Sequence, residues 1–135
     1  MKSLLAILFS FIIFGSFAQW EWQNPVPTGN HLDYAHFIND KEGWACGYYG
    51  TILHTIDGGI SWEQQFTNTS NRLWTVYFKD EMNGWATGVN VFLRTTDGGA
   101  NWEFQEVPVT TRYREITFAN EMNGWVVGSI GTILN

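Results

Sequence analysis

Aspartates set in a repeated string are the first residues of this sequence that could do chemistry. "HTIDGGISW", His54 to Trp62, returns as "RTTDGGANW", Arg94 to Trp102, and each copy carries an aspartate, Asp57 or Asp97, ahead of a Gly-Gly pair. Carboxylates at fixed spacing suit acid–base catalysis, cation binding, or the capping of backbone N–H groups in a tight turn. Glycoside hydrolysis generally needs a pair of them, or a tyrosine nucleophile, placed across the substrate. Asp33, Asp40, Glu42, Asp80, Glu81, Glu115 and Glu121 are the further candidates, and most stand in "DKEGW", "DEMNGW" or "NEMNGW". An active site is asymmetric, whereas a turn recurs with the fold. Repeated acids therefore read as turn chemistry.

The same reasoning covers the repeated string itself. A short aspartate side chain in a hairpin accepts hydrogen bonds from nearby N–H groups, and glycines supply positive φ. Thr55 and Ser61 are placed to bridge the two strands, and Trp62 to cover the turn; Thr95 and Trp102 repeat the arrangement. His31, His36 and His54 lack ligand-like spacing, and no loop of alternating acids resembles a calcium site. No metal and no cofactor is expected. Cys46 is the only cysteine, which precludes an internal disulfide. In "GWACG" it stands where the other copies have Thr87 and Val127, as a small buried side chain does.

Those residues are positioned by an internal repeat. Copies begin at Tyr34, Trp74 and Tyr113, and Trp44, Trp85 and Trp125 mark equivalent points 41 and 40 residues apart. Turn chemistry divides the second copy into strands over Trp74 to Phe78, Trp85 to Gly88, Val91 to Thr95 and Asn101 to Gln105. Four strands in about 40 residues make one propeller blade. The fold class is thus all-β, a partial β-propeller of antiparallel four-stranded blades. Blade 1 is assigned to 33–72, blade 2 to 73–112, and an incomplete blade 3 to 113–135. Phe37, Phe78 and Phe118 are expected as equivalent core positions. "WEWQ", Trp20 to Gln23, echoes "WEQQ" at Trp62 and "WEFQ" at Trp102, so 19–32 reads as a lone fourth strand and loop. Such a strand would complete the last blade and close the ring. "GTIL" at Gly131 repeats "GTIL" at Gly50, and the expectation is that further blades complete the propeller.

Lys2, the apolar run Leu4 to Phe14 and the small residues Ser16 and Ala18 predict a signal peptide over 1–18. The run is too short for a membrane span of about 20 residues. Export to the periplasm, cell surface or medium follows, with no stable membrane span after cleavage. The net charge of −6 becomes −7 when Lys2 leaves with the leader, which argues against nucleic acid as a partner. Asn68-Thr69-Ser70 forms a glycosylation sequon.

Thr55-x-Asp57-x-Gly59-x-Ser61-Trp62 fits the Asp-box pattern, and Thr95-x-Asp97-x-Gly99-x-Asn101-Trp102 fits it except at Asn101. The longer string "GWACGYYGTILHTIDGGISW" resembles the BNR/Asp-box repeats of the photosystem II stability/assembly factor-like family. That resemblance implies a propeller, an architectural Asp-box away from the ligand face, and a non-catalytic binding or scaffold role. The alternative is the N-terminal part of an Asp-box glycoside hydrolase of the sialidase or xyloglucanase kind.

Function is expected where the copies differ. Equivalent positions at the start of each first strand hold Asp33, Trp74 and Arg114, with Arg72 and Arg112 in the connections before them. Tyr48 and Tyr49 occupy a second-to-third strand turn, which in a propeller opens on the same side. These residues form a candidate ligand face, with arginine forks and aromatic platforms for a protein or glycan carrying an anionic group.

Overall fold

The computed structural model describes residues 20, 22–23, 25–120 and 122–135; the expected signal peptide lies outside them. Three antiparallel sheets follow one another along the chain. Blade 1 contains β1 (Leu32–Phe37), β2 (Gly43–Gly47), β3 (Ile52–Thr55) and β4 (Glu63–Gln65). Blade 2 contains β5 (Leu73–Phe78), β6 (Gly84–Gly88), β7 (Val91–Thr95) and β8 (Glu103–Phe104). Blade 3 has three strands, β9 (Tyr113–Phe118), β10 (Gly124–Gly128) and β11 (Ile133–Leu134). The chain is a section of a β-propeller. Its fourth strands are shorter than the turn signals suggest. In blade 2, Asn101 caps a turn and Trp102 packs inward, so pairing starts only at Glu103.

Each blade is built on the same close approach. Phe37, Phe78 and Phe118 pair with Gly43, Gly84 and Gly124 across the first hairpin. A Cβ on those glycines would lie 2.5, 2.5 and 2.6 Å from the phenylalanine ring. Only glycine lets the ring lie flat on the neighbouring strand, which is why "GW" recurs. The adjoining tryptophan then reaches the next blade: Trp44 stacks on Phe78 with centroids 3.5 Å apart, and Trp85 tilts against Phe118 at 4.7 Å. His54 stacks on the other face of Trp44, and Arg94, at the equivalent position, lies over Trp85.

This geometry corrects the expectation of an equal core. Phe78 is buried and Phe118 partly so, but Phe37 is 44% exposed. Among the described residues no tryptophan of a preceding blade covers it. Trp44 is fully buried, while Trp85 and Trp125 are half-buried. Trp20, Trp22 and Gln23 carry no strand, and both tryptophans are exposed. A fourth strand forms only against a third, and no described strand pairs with them.

A side-chain clasp joins blades 1 and 2. The Gln65 amide donates to the Gly98 carbonyl at 2.8 Å, and its oxygen accepts from the Trp102 indole at 3.2 Å. Gln23 and Gln105 occupy the matching place in "WEWQ" and "WEFQ".

Candidate functional site

In blades 1 and 2 the two ends do different work. At one end lies the Asp-box. Asp57 Oδ1 accepts from the Thr55 hydroxyl at 2.8 Å and from Ser61 N–H at 2.9 Å, and Oδ2 accepts from the Ser61 hydroxyl at 2.6 Å. Thr55 Oγ1 in turn accepts from Gly59 N–H at 2.9 Å. Asp97 repeats every bond, with the Asn101 amide donating at 2.7 Å in place of a serine hydroxyl. Asn101 thus departs from the pattern in residue type and keeps its hydrogen bond. The Ser61 side-chain and backbone donors, then Thr55, pull the Asp57 carboxyl down to about 2. Asn101 and Thr95 lower Asp97 likewise. A carboxylate held so firmly ionised and saturated with donors is a poor proton donor for catalysis near neutral pH.

Asp80 and Glu42 are engaged in similar ways. Asp80 Oδ1 caps Met82 and Asn83 N–H, and Asn39 and Asn120 do the same in the neighbouring blades. Glu42 pairs with His54 at 3.0 Å. His36 donates to the Phe78 carbonyl across the blade boundary, so it too serves packing. Cys46 is fully buried, and burial raises its thiol pKa far above the ordinary value. That leaves it without thiolate character.

The opposite end carries the variable residues, and the backbone explains why they are displayed. The register of the first hairpin slips once per blade, between Leu32 and Tyr34, between Leu73 and Thr75, and opposite Val127 and Gly128. The extra residues in those bulges are Asp33, Trp74 and Arg114. A bulge leaves its residue unpaired and re-aims the side chain, often beside a binding site. The bend is seated by a close approach: a Cβ on Gly88 would lie 1.9 Å from the Arg72 carbonyl, which accepts from Val89 N–H at 3.0 Å. Tyr48 and Ser129 N–H make the same bond to His31 and Arg112.

Around these bulges four of the six expected face residues come together. The Arg72 guanidinium lies 4.2 Å from the Tyr48 ring centre and 5.6 Å from that of Trp74. Its fork is occupied by Asp33, with Nε to Oδ2 at 2.9 Å and a second bond from the terminal amine. Arg114 lies 4.0 Å over the Trp74 ring and is exposed. Among the described residues its guanidinium meets no carboxylate, so it is the cation the cluster offers outward. Tyr49 touches the cluster through Tyr48, edge-on at 6.2 Å. Arg112 stands one blade along at the position equivalent to Arg72, exposed, and does not join the stack. Residue types alone suggested the face; the bulges, which leave no residue-type signature, define it.

Fold and repeat together define an Asp-box propeller with architectural aspartates at one end and a variable aromatic–arginine cluster at the other. The chain belongs to the photosynthesis system II assembly factor YCF48 family, whose sequence profile matches residues 15–105 and 63–135. It is 28% identical over 78 residues to the photosystem II assembly protein Ycf48 of Synechococcus sp. (strain JA-3-3Ab), and 27% to that of strain JA-2-3B'a(2-13). Each of those matches covers 53% of this chain and 23% of the relative, so the chain spans about a quarter of their length. Among solved structures it is similar to YCF48 bound to D1 peptide, with a TM-score of 0.71 and 27% identity over 87% of this chain and 39% of the other. YCF48 from Cyanidioschyzon merolae gives 0.68 and 29% over 81% and 37%. Among the described residues no helix is long and apolar enough to cross a membrane.

Proposed function

We propose that this chain is part of an exported, non-catalytic propeller that holds a peptide segment of a partner protein on the face bearing Asp33, Arg72, Trp74 and Arg114. The observation that carries the reading is the stack of Arg114 on Trp74 at 4.0 Å, each raised on the bulge of its first strand. An exposed guanidinium on an aromatic platform offers a flat cation with its donors free for a carboxylate. The bound peptide in the similar YCF48 structure supports a protein segment over a glycan. Export rests on the leader-like residues 1–18, and the non-catalytic assignment on the donor-saturated Asp57 and Asp97.

A display selection of random decapeptides on the purified chain tests the reading. Peptides carrying Asp or Glu should be enriched, and Trp74→Ala or Arg114→Ala should weaken them at least tenfold, while Asp57→Ala leaves affinity unchanged. Enrichment of no peptide, or binding indifferent to Trp74 and Arg114, would refute it. Sequencing of the exported protein should begin at Gln19.

A further inference from the structure

The second-to-third strand turn of every blade puts one non-glycine residue into left-handed backbone: Tyr49 at φ 57°, Asn90 at 54° and Ile130 at 59°. Asparagine tolerates that region, but a β-branched isoleucine there is a true outlier. In blades 1 and 3 the next residue is also at positive φ, Gly50 or Gly131. Two positive φ values in a tight hairpin call for Asn-Gly; here the pairs are Tyr-Gly and Ile-Gly. The fold makes little use of either side chain. Tyr49 is 69% exposed and Ile130 completely so.

The turns are nonetheless held firmly. Thr51 N–H donates to the Tyr48 carbonyl, and the Thr67 hydroxyl to the Gly50 carbonyl at 2.8 Å. In blade 3 the Thr132 N–H and hydroxyl both donate to the Ser129 carbonyl. Surroundings that over-determine a strained residue are how such strain persists, and it gathers where a ligand is met.

We infer that Tyr49 and Ile130 are ligand contacts retained against local stability, and that the ligand is an extended peptide with apolar side chains flanking a carboxylate. This rests on the peptide-binding reading above. Exposed apolar tips on blades 1 and 3, with the Arg114–Trp74 pair spanning blades 2 and 3, distribute contacts over three blades. An extended chain can meet such a row, whereas a small molecule would want a single enclosed pocket.

The test converts the pairs to Asn-Gly with Tyr49→Asn and Ile130→Asn, keeping Tyr49→Gly in reserve, and uses the decapeptides selected on the wild-type chain as probes. The double variant should melt higher, by roughly 2–8 °C, yet bind those peptides at least tenfold more weakly. Peptides with their apolar residues changed to alanine should lose the difference between variant and wild type. A lower melting temperature would overturn the strain argument, and affinity within twofold of wild type would overturn the contact assignment. If Arg114→Ala abolishes binding while the asparagine variants do not, only this inference fails. If neither matters, the ligand face itself is misplaced.

Discussion

Asp57 and Asp97 each collect donors from both arms of a hairpin, so their loss should be felt as stability. Asp57→Ala with Asp97→Ala should lower the melting temperature at neutral pH. The folded carboxyl of Asp57 sits at about 2, below its ordinary 3.8. A depressed carboxyl stabilises above the unfolded value, and that contribution is lost as pH falls through the folded one. The gap between wild type and the double variant should therefore be constant above about pH 5 and close between about pH 4 and 2. A gap that persists at pH 2 would show that the aspartate charge does not hold the turn. The tryptophans make a second test. Trp44 lies sandwiched between His54 and Phe78, fully buried, so Trp44→Ala should cost about 3–5 kcal/mol. Trp85 is only half-buried, and chemical denaturation of Trp85→Ala should show a smaller loss.

Between elements, the decisive contacts are those no single blade can make. Gln65 ties β4 of blade 1 to the Asp-box turn of blade 2 through Gly98 and Trp102. Gln65→Ala removes both bonds and strands a buried indole N–H, a loss of about 1–3 kcal/mol. Gly88 matters to the site as well as the sheet: the Cβ of Gly88→Ala would meet a backbone carbonyl, which cannot rotate away. That variant should lower stability and also weaken peptide binding, since Arg72 and Trp74 ride on the displaced segment. Much of this frame was legible beforehand, because the repeat and the Asp-box are written in residue types. The bulges were not: Asp33, Trp74 and Arg114 share no chemistry, and an inserted residue shows only in the pairing register. The capping role of Asn39 was also hidden, since Asp40 beside it drew attention as the acid. Unequal burial of Phe37, Phe78 and Phe118 depends on what lies across the blade boundary, which a strand's own sequence does not state.

For residues 19–135 as a whole, blade 1 presents Leu32, Tyr34 and Phe37 at 42%, 38% and 44% exposure on its first strand, and among the described residues β11 is the outer strand of its sheet. Apolar faces and unpaired edges of this kind drive association. Residues 19–135 on their own should sediment as a concentration-dependent mixture of species, and a stable monomer at all concentrations would show that these faces are already satisfied. The central claim is that recognition and architecture occupy opposite ends of the same blades. Hydrogen–deuterium exchange of the chain with and without a selected decapeptide tests it most directly. The account predicts new protection in the segments around 31–33, 48–50, 72–74, 112–114 and 129–131, with none in 57–61 or 97–101. Protection confined to the Asp-box turns, or to the open face of β1, would contradict it.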